Sequence, residues 1–152
     1  MADEEDFKDA ISALPDGWVT ANAVVFTRAT AREVIAELAI GPQHLQPMGI
    51  VHGGVYAGLV ETVTSVGAGI HSAQHGRLSV GLENHTSFLH ASRSGKLVVT
   101  ARPLTRGSRT QVWEASVVNE AGQVAATGRV RFLVLDPGSA LAGEGAGMKP
   151  ST

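Results

Sequence analysis

The chain has 152 residues and a formal net charge of −2, with 43% hydrophobic and 17% charged residues. This length suits one domain, and the composition is that of a globular protein with a buried core. Without a block of Lys and Arg, the chain lacks the concentrated basic surface that nucleic-acid binding requires. It contains no cysteine, which excludes disulfides, thiolate metal sites and cysteine nucleophiles.

The N-terminal residues 1–6 are mostly acidic, whereas a secretory signal begins with positive charge followed by an apolar run. No segment approaches the roughly 18 consecutive apolar residues of a membrane span. We therefore expect a soluble, cytoplasmic protein that contacts neither membrane nor nucleic acid.

The first elements of the chain are predicted from short patterns. Residues 1–12 are acidic, and we expect them to be loose or to form a short helix. The sequence Leu-Pro-Asp-Gly at 14–17 indicates a turn, and the β-branched residues of 19–27 predict a strand. Residues 34–40 alternate in a period of two and also predict a strand, although Ala and Glu allow a helix over 29–39.

A long helix is predicted over residues 53–72. Its large apolar residues recur every three or four positions, namely Val55, Leu59, Val63, Val66 and Ile70. A helix of this length would extend about 30 Å. Because it is apolar on nearly all sides and contains several glycines, we expect tertiary packing to bury and hold it.

The remaining elements are predicted strands at 78–91, 96–104, 110–118 and 124–135, joined by glycine-containing turns that favour antiparallel pairing. Residues 137–152 are rich in Gly, Ala and Ser and are expected to be a disordered tail. The sequence thus predicts an α+β domain over residues 1–136, in which a curved antiparallel sheet wraps one long buried helix. The other face of such a sheet would stay exposed unless another subunit covered it, which suggests oligomerisation.

The segment of residues 46–54 leads directly into the helix. Gly53 and Gly54 let a ligand approach the backbone, where unpaired N–H groups and the helix dipole favour negative charge. Such a site can bind a phosphate or stabilise an oxyanion, although a glycine pair before a helix also serves simply as a turn.

Glu61 lies in this apolar helix, about two turns after the glycines. A buried carboxylate without a partner costs several kcal/mol, so its presence needs a reason. The residue types and their spacing leave two readings open. Glu61 is either a catalytic carboxylate or a structural one that pairs with a loop or with an Arg across an interface.

Two motifs together resemble the hotdog-fold thioesterase superfamily. Residues 48–55 read MGIVHGGV and are followed by Glu61, and residues 84–89 read NHTSFL. The similarity spans about 41–135 and is greatest to the branch of the Arthrobacter-type 4-hydroxybenzoyl-CoA and the phenylacetate-pathway (PaaI-like) thioesterases. It implies a hotdog fold and hydrolysis of an acyl-CoA or aryl-CoA thioester, with no cofactor or metal.

The resemblance also implies roles for particular residues. Glu61 acts as nucleophile or as general base toward water, and the Gly53 N–H polarises the thioester carbonyl. Gln46 assists at the carbonyl, and Ser65 orients water or Glu61. The active site lies between subunits of a homotetramer that is a dimer of dimers.

Further candidates have weaker roles. His52 could act as a base because histidine titrates near neutral pH, but the resemblance gives it a structural place before the helix. Substrate-binding candidates are Gly54, Asn84, His85, Thr86, His90, Arg106, Ser108 and Arg109, the last three for CoA phosphates or as an ordinary solvated turn. His71 and His75 are one helical turn apart, but a metal site would need a third ligand.

Two other functions remain open to the sequence. A hotdog module that binds or senses an acyl-CoA would keep the pocket without turnover, yet binding alone does not require a buried carboxylate beside an oxyanion site. A hydratase or dehydratase would normally use an Asp/His pair, which is not evident here. The acyl group itself is left undetermined between an aryl ring and a medium-length chain.

Overall fold

The structure, a computed structural model, describes residues 5–148. Its helices are α1 (Lys8–Ser12), α2 (Gly17–Ala21) and α3 (Gly53–Ala73), with a 3-10 turn at Pro42–His44. Its strands are β1 (Val25–Ala29), β2 (Val34–Ala39), β3 (Leu78–Phe88), β4 (Lys96–Arg106), β5 (Thr110–Val118), β6 (Val124–Leu135), β7 (Ala140–Leu141) and β8 (Glu144–Gly145). No helix within 5–148 combines the length and the apolar character needed to cross a membrane.

Six strands form one antiparallel sheet in the order β1-β2-β4-β5-β6-β3. Helix α3 packs against β2, β3, β4, β5 and β6 of this sheet. The predicted α+β architecture is therefore confirmed, and it is the hotdog arrangement that the resemblance implied.

Helix α3 contains several glycines, which disfavour a helix, and packing against the sheet stabilises it. Leu59, Val60 and Val63 are completely buried against the sheet. At Gly67 an added Cβ would lie 2.4 Å from the Trp113 ring, so only glycine lets that ring lie against the helix. The Trp113 indole N–H donates to Gln111 Oε1 at 2.9 Å, which satisfies the buried polar atom.

Residues 34–39 form a strand, so the helical alternative over 29–39 is not adopted. Strand β2 pairs along its whole length with β4, for example Leu38 with Leu97. Its alternate residues Val34, Ala36 and Leu38 are buried in the core, whereas the intervening residues are half-buried. The alternation of buried and less buried residues, and not the helical propensity of Ala and Glu, therefore decides the secondary structure of this segment.

The strand predicted over 19–27 is wrong in its first part, because residues 19–21 belong to helix α2 and residues 22–24 connect it to β1. The carboxylate of Asp16 accepts from the Val19 N–H at 3.0 Å and caps this helix. Trp18 then packs against α3 at Gly58, where an added Cβ would lie 2.2 Å from the indole. Capping and this tertiary contact outweigh the β preference of the local residues.

Regular structure extends toward both ends of the described chain, and of the two alternatives expected for residues 1–12 the described part adopts the short helix. Residues Lys8–Ser12 form α1, and the Asp6 carboxylate ties this segment to β1 by accepting from the Ala29 N–H at 3.0 Å. In the segment expected to be a disordered tail, β7 and β8 form a small hairpin. Residues 1–4, part of the segment expected to be loose or helical, and residues 149–152, part of the expected disordered tail, lie outside the described residues.

Candidate active site

Glu61 lies half-buried on α3, where the helix faces β3. Its Oε2 accepts a hydrogen bond from Asn84 Nδ2 at 3.0 Å. Its Oε1 lies 3.4 Å from the Ser65 hydroxyl, one helical turn further on. Each carboxylate oxygen thus has a neutral donor, and none of the ion pairs found within 5–148 involves this side chain. Within the described residues the carboxylate therefore has hydrogen-bond donors but no cationic partner.

The amide of Asn84 has a fixed orientation. Its Nδ2 donates to the Ala57 carbonyl at 3.1 Å as well as to Glu61, and its Oδ1 accepts from the Thr86 hydroxyl at 2.6 Å. Asn84 and Thr86 are both predicted from the sequence to contact the substrate. In the structure their hydrogen bonds position Glu61, Asn84 directly and Thr86 through the amide.

Gly81 of β3 makes room for Glu61 and was not identified from the sequence. A Cβ at this position would lie 2.7 Å from Glu61 Oε1. The pairing of β3 with β6 also shifts register between Gly81 and Glu83. A glycine inside a strand pattern often marks a close approach or a bulge, and this was the available signal.

The N-terminus of α3 presents a free backbone donor. The His52 Nδ1 accepts from the Gly54 N–H at 2.8 Å, so this ring caps the helix and its proton resides on Nε2. The N–H of Gly53 donates to no group among residues 5–148. His52 and Gly54 therefore shape the helix start, and Gly53 supplies the N–H that a ligand can use.

The loop before α3 brings Gln46 next to Gly53. Gln46 Oε1 accepts from the Met48 N–H, and Gly49 turns the chain back with a φ of 74°. Gln46 and Gly53 line one pocket of about 300 Å³ together with Tyr56, Phe88 and His90. Because its Oε1 is engaged by the loop, the hydrogen-bonding group of the Gln46 side chain that remains is its amide NH₂, for which no partner is found among residues 5–148.

Glu61 does not share that pocket. It follows Gly53 by eight residues on the same helix, which corresponds to a separation of about 12 Å along the axis. Its carboxylate instead borders a second pocket of about 460 Å³ between α3 and the N-terminal helices. A single chain therefore does not place the Gly53 N–H and the Glu61 carboxylate around one carbonyl group.

The remaining histidine candidates lie apart from Glu61. Strand alternation turns His85 away from α3, because its neighbours Asn84 and Thr86 face the helix, and His85 lines an outer pocket with Glu114 and Arg129. His90 lines the Gln46 pocket, and its Nδ1 donates to the Val124 carbonyl at 3.0 Å.

The basic candidates lie toward the C-terminal end of α3. Arg106 and Ser108 line a pocket of about 450 Å³ together with His71, His75 and Arg77. The Arg106 guanidinium donates to the Ala31 carbonyl at 3.0 Å, and the Ser108 carbonyl accepts from Arg77 at 2.8 Å.

Two further features complete this region. Arg109 is exposed beside the pocket, and its carbonyl accepts from the Val134 N–H at 2.8 Å. The rings of His71 and His75 are 4.7 Å apart, but no third potential metal ligand joins them among residues 5–148.

His44 is a buried residue that the sequence analysis did not single out. Its Nδ1 accepts from the Gly41 N–H at 2.9 Å, and its Nε2 lies 3.2 Å from the Asn22 carbonyl. Its own carbonyl accepts from the His52 N–H at 2.8 Å. His44 thereby anchors both ends of the loop that carries Gln46.

Known proteins are similar to this chain in sequence and in fold. Residues 48–126 match the thioesterase superfamily. The proofreading thioesterase EntH of Klebsiella pneumoniae is 33% identical over 127 residues, which cover 83% of this chain and 92% of EntH. The solved structure of AziG from S. sahachiroi has a TM-score of 0.75 at 34% identity, covering 79% of this chain and 97% of AziG.

A second solved structure shows how widely the fold is shared. The E. coli PaaI protein of the phenylacetic acid degradation operon has a TM-score of 0.76 at 18% identity, covering 85% of this chain and 91% of PaaI. The family resemblance inferred from the two motifs is thus confirmed. The chain belongs to the thioesterase superfamily of hydrolases and has its hotdog fold.

Proposed function

We propose that this protein is a cytoplasmic thioesterase that hydrolyses an acyl-CoA or aryl-CoA thioester to the free acid and CoA. The observation that carries the proposal is the Glu61 carboxylate, which Asn84 holds on the central helix of a thioesterase-family chain and which has no cationic partner among residues 5–148. A carboxylate in this state is available to act as a nucleophile or as a general base toward water.

The chemistry can be written with either role of Glu61. Water, activated by the carboxylate, or the carboxylate itself attacks the thioester carbonyl carbon, and the oxygen becomes an oxyanion. The C–S bond then breaks, and CoA leaves as a thiolate that takes up a proton. In the nucleophilic route water hydrolyses the resulting anhydride. The Gly53 N–H donates to the oxyanion, Gln46 supports the same oxygen, and Ser65 orients Glu61 or the water.

The separation of Gly53 from Glu61 favours a site that two subunits share. Within residues 5–148, strand β3 pairs only with β6, so its other edge has no partner. Leu82, Phe88 and Leu89 on and just after β3 are 48%, 58% and 53% exposed. A second copy joined along this edge would cover these residues, since unpaired edge strands and apolar patches are features of association surfaces. Two such dimers would form the homotetramer.

The nucleotide part of CoA needs a cationic surface. Arg106 and Ser108 share a pocket with Arg77, and Arg109 is exposed beside it. Arginine forms paired hydrogen bonds to phosphate, so we assign the CoA phosphates to this turn in the assembled protein. We place the thioester end of the substrate at the pocket that His90 lines, next to Gly54 at the helix start, whereas His85 on the outer sheet face would contact a substrate of a neighbouring subunit.

The test is steady-state hydrolysis of a panel of aromatic and aliphatic acyl-CoA esters, with release of free thiol as the readout. We expect turnover by the wild-type protein and loss of most of it in Glu61→Ala, because a general base contributes about 10²–10⁴-fold. The variant should keep its fold and assembly, since the site tolerates a smaller side chain.

Two results would oppose the proposal. Near-normal turnover by a correctly assembled Glu61→Ala variant would remove the carboxylate from the mechanism. Absence of turnover on every CoA ester, with binding retained, would instead indicate a ligand-binding module or a different acyl carrier.

A further inference from the structure

The pocket beside Glu61 is a channel between α3 and the N-terminal segment. One wall is a stripe of α3 that begins at Glu61 and continues through Ser65, Gly69 and Ala73. Ser65, Gly69 and Ala73 are small and follow Glu61 at intervals of four, so they leave a path about 18 Å long on one helix face, flanked by the larger Thr62, Val66 and Ile70. The Glu61 carboxylate therefore borders one end of an elongated space.

The opposite wall of this channel is apolar. It is formed mainly by Ile11, Leu14, Val19 and Phe26 from the two N-terminal helices and β1. Asp16 also borders the channel, but its carboxylate is occupied in capping α2. Its volume of about 460 Å³ is within the range of ligand-binding pockets.

This wall is fixed in place before any ligand arrives. Trp18 locks α2 against Gly58 of α3, in a contact that leaves no room for a Cβ. The Phe7 N–H donates to the Ala29 carbonyl at 2.8 Å and holds the segment leading into α1 against β1. A preformed apolar site binds a flexible chain without the cost of ordering its own walls.

We propose that this channel holds the acyl group of the substrate, and that the group is a linear aliphatic chain rather than a single aromatic ring. The inference rests on the proposed function, since it places the thioester carbon at Glu61. A chain can extend from the carboxylate along the whole stripe and bury each additional methylene, whereas one ring would occupy only its first part.

Gly69 offers a direct test, because it lies on the stripe and has open space before it. A Cβ at Gly69 meets nothing within 4 Å, in contrast to Gly58 and Gly67, where it would strike a Trp ring. Gly69 follows Glu61 by eight residues, or about 12 Å along the helix. A larger side chain at this position would block the far part of the channel and leave the part next to Glu61 open.

The experiment measures kcat/KM for straight-chain acyl-CoA esters from acetyl to dodecanoyl, and for benzoyl-CoA, in wild type and Gly69→Leu. In the wild type we expect kcat/KM to rise about fourfold with each added methylene over the middle of the series, which corresponds to about 0.8 kcal/mol per buried CH₂. In Gly69→Leu we expect short esters to be unaffected and long esters to fall on the order of tenfold or more, as roughly two methylenes are displaced.

Two further variants make the test specific. Gly69→Ala should affect only the longest esters, and it guards against misfolding of the Leu variant because Ala favours the helix. Gly17→Leu is the matched control, since a Cβ there also meets nothing within 4 Å but Gly17 does not line the channel. Its chain-length profile should equal that of the wild type.

The outcomes separate this inference from the proposed function. An unchanged chain-length profile in both Gly69 variants, or an equal loss on all esters including acetyl-CoA, would overturn the acyl channel while hydrolysis itself stands. Preference for benzoyl-CoA over every aliphatic ester would do the same. A wild-type protein that hydrolyses no ester would overturn the proposed function and this inference with it.

Discussion

Replacing Gly53 with proline would remove one N–H from the proposed oxyanion site and little else. Gly53 is the first residue of α3, a position where proline is favoured because no helical partner exists for its N–H. The preceding residue His52 has φ −64° and ψ 134°, the extended conformation that a following proline requires. The helix should therefore form normally in Gly53→Pro.

The expected effect follows from the loss of that donor. Removing one oxyanion donor costs about 10²–10³-fold in kcat, so Gly53→Pro should lose this factor with little change in KM. The added ring atoms do approach Phe88, because a Cβ at Gly53 would lie 2.6 Å from its ring. Phe88 is 58% exposed and can move aside, and Gly53→Ala provides the control because it disturbs Phe88 equally but keeps the N–H.

Mixing this variant with Glu61→Ala tests whether the two groups act across an interface. In a symmetric dimer with a shared site, random exchange makes half of the dimers mixed, and each mixed dimer has one intact site of two, so about a quarter of wild-type activity should return. The readout is thiol release after subunit exchange. No recovery in verified mixed dimers would refute a site shared in this way, and a Gly53→Pro rate equal to that of Gly53→Ala would refute the donor role.

Two other substitutions test the contacts around the helix. Asn84→Ala should lower kcat about tenfold with a smaller change in KM, because a hydrogen bond to a charged group is worth roughly 1.5–3 kcal/mol. If the variant instead shows a raised KM at constant kcat, the amide contributes to substrate binding and does not position Glu61. Gly67→Ala should lower the free energy of unfolding in urea by about 1–3 kcal/mol, since its Cβ would lie 2.4 Å from the buried Trp113 ring; stability equal to or above that of the wild type would show that the ring can move.

The sequence predicted the elements whose patterns are long and regular. Helix α3 and the strands β4, β5 and β6 were found within a few residues of their ends, because apolar residues repeat through many turns or alternations. Helix α2 was missed because its formation depends on the Asp16 cap and on the contact of Trp18 with Gly58, which is remote in the sequence.

The candidate site was predicted less completely, for a similar reason. Glu61, Gly53 and Gln46 stand in recognisable motifs, but the hydrogen bond from Asn84 to Glu61 joins two elements whose relative position no pattern specifies. Gly81 is informative only once the carboxylate is seen beside it. His85 is adjacent to Asn84 in sequence, yet the alternation of the strand places it on the opposite face.

The catalytic role proposed for Glu61 is tested most directly by the rate of thiol release from an acyl-CoA. Wild type and Glu61→Gln are purified in parallel and compared in the same oligomeric state. Glutamine keeps the size of the side chain but provides neither a nucleophilic oxygen nor a base. We expect clear turnover by the wild type and a loss on the order of 10²-fold or more in the variant. Turnover by Glu61→Gln within a few-fold of the wild type would contradict the proposed role of Glu61.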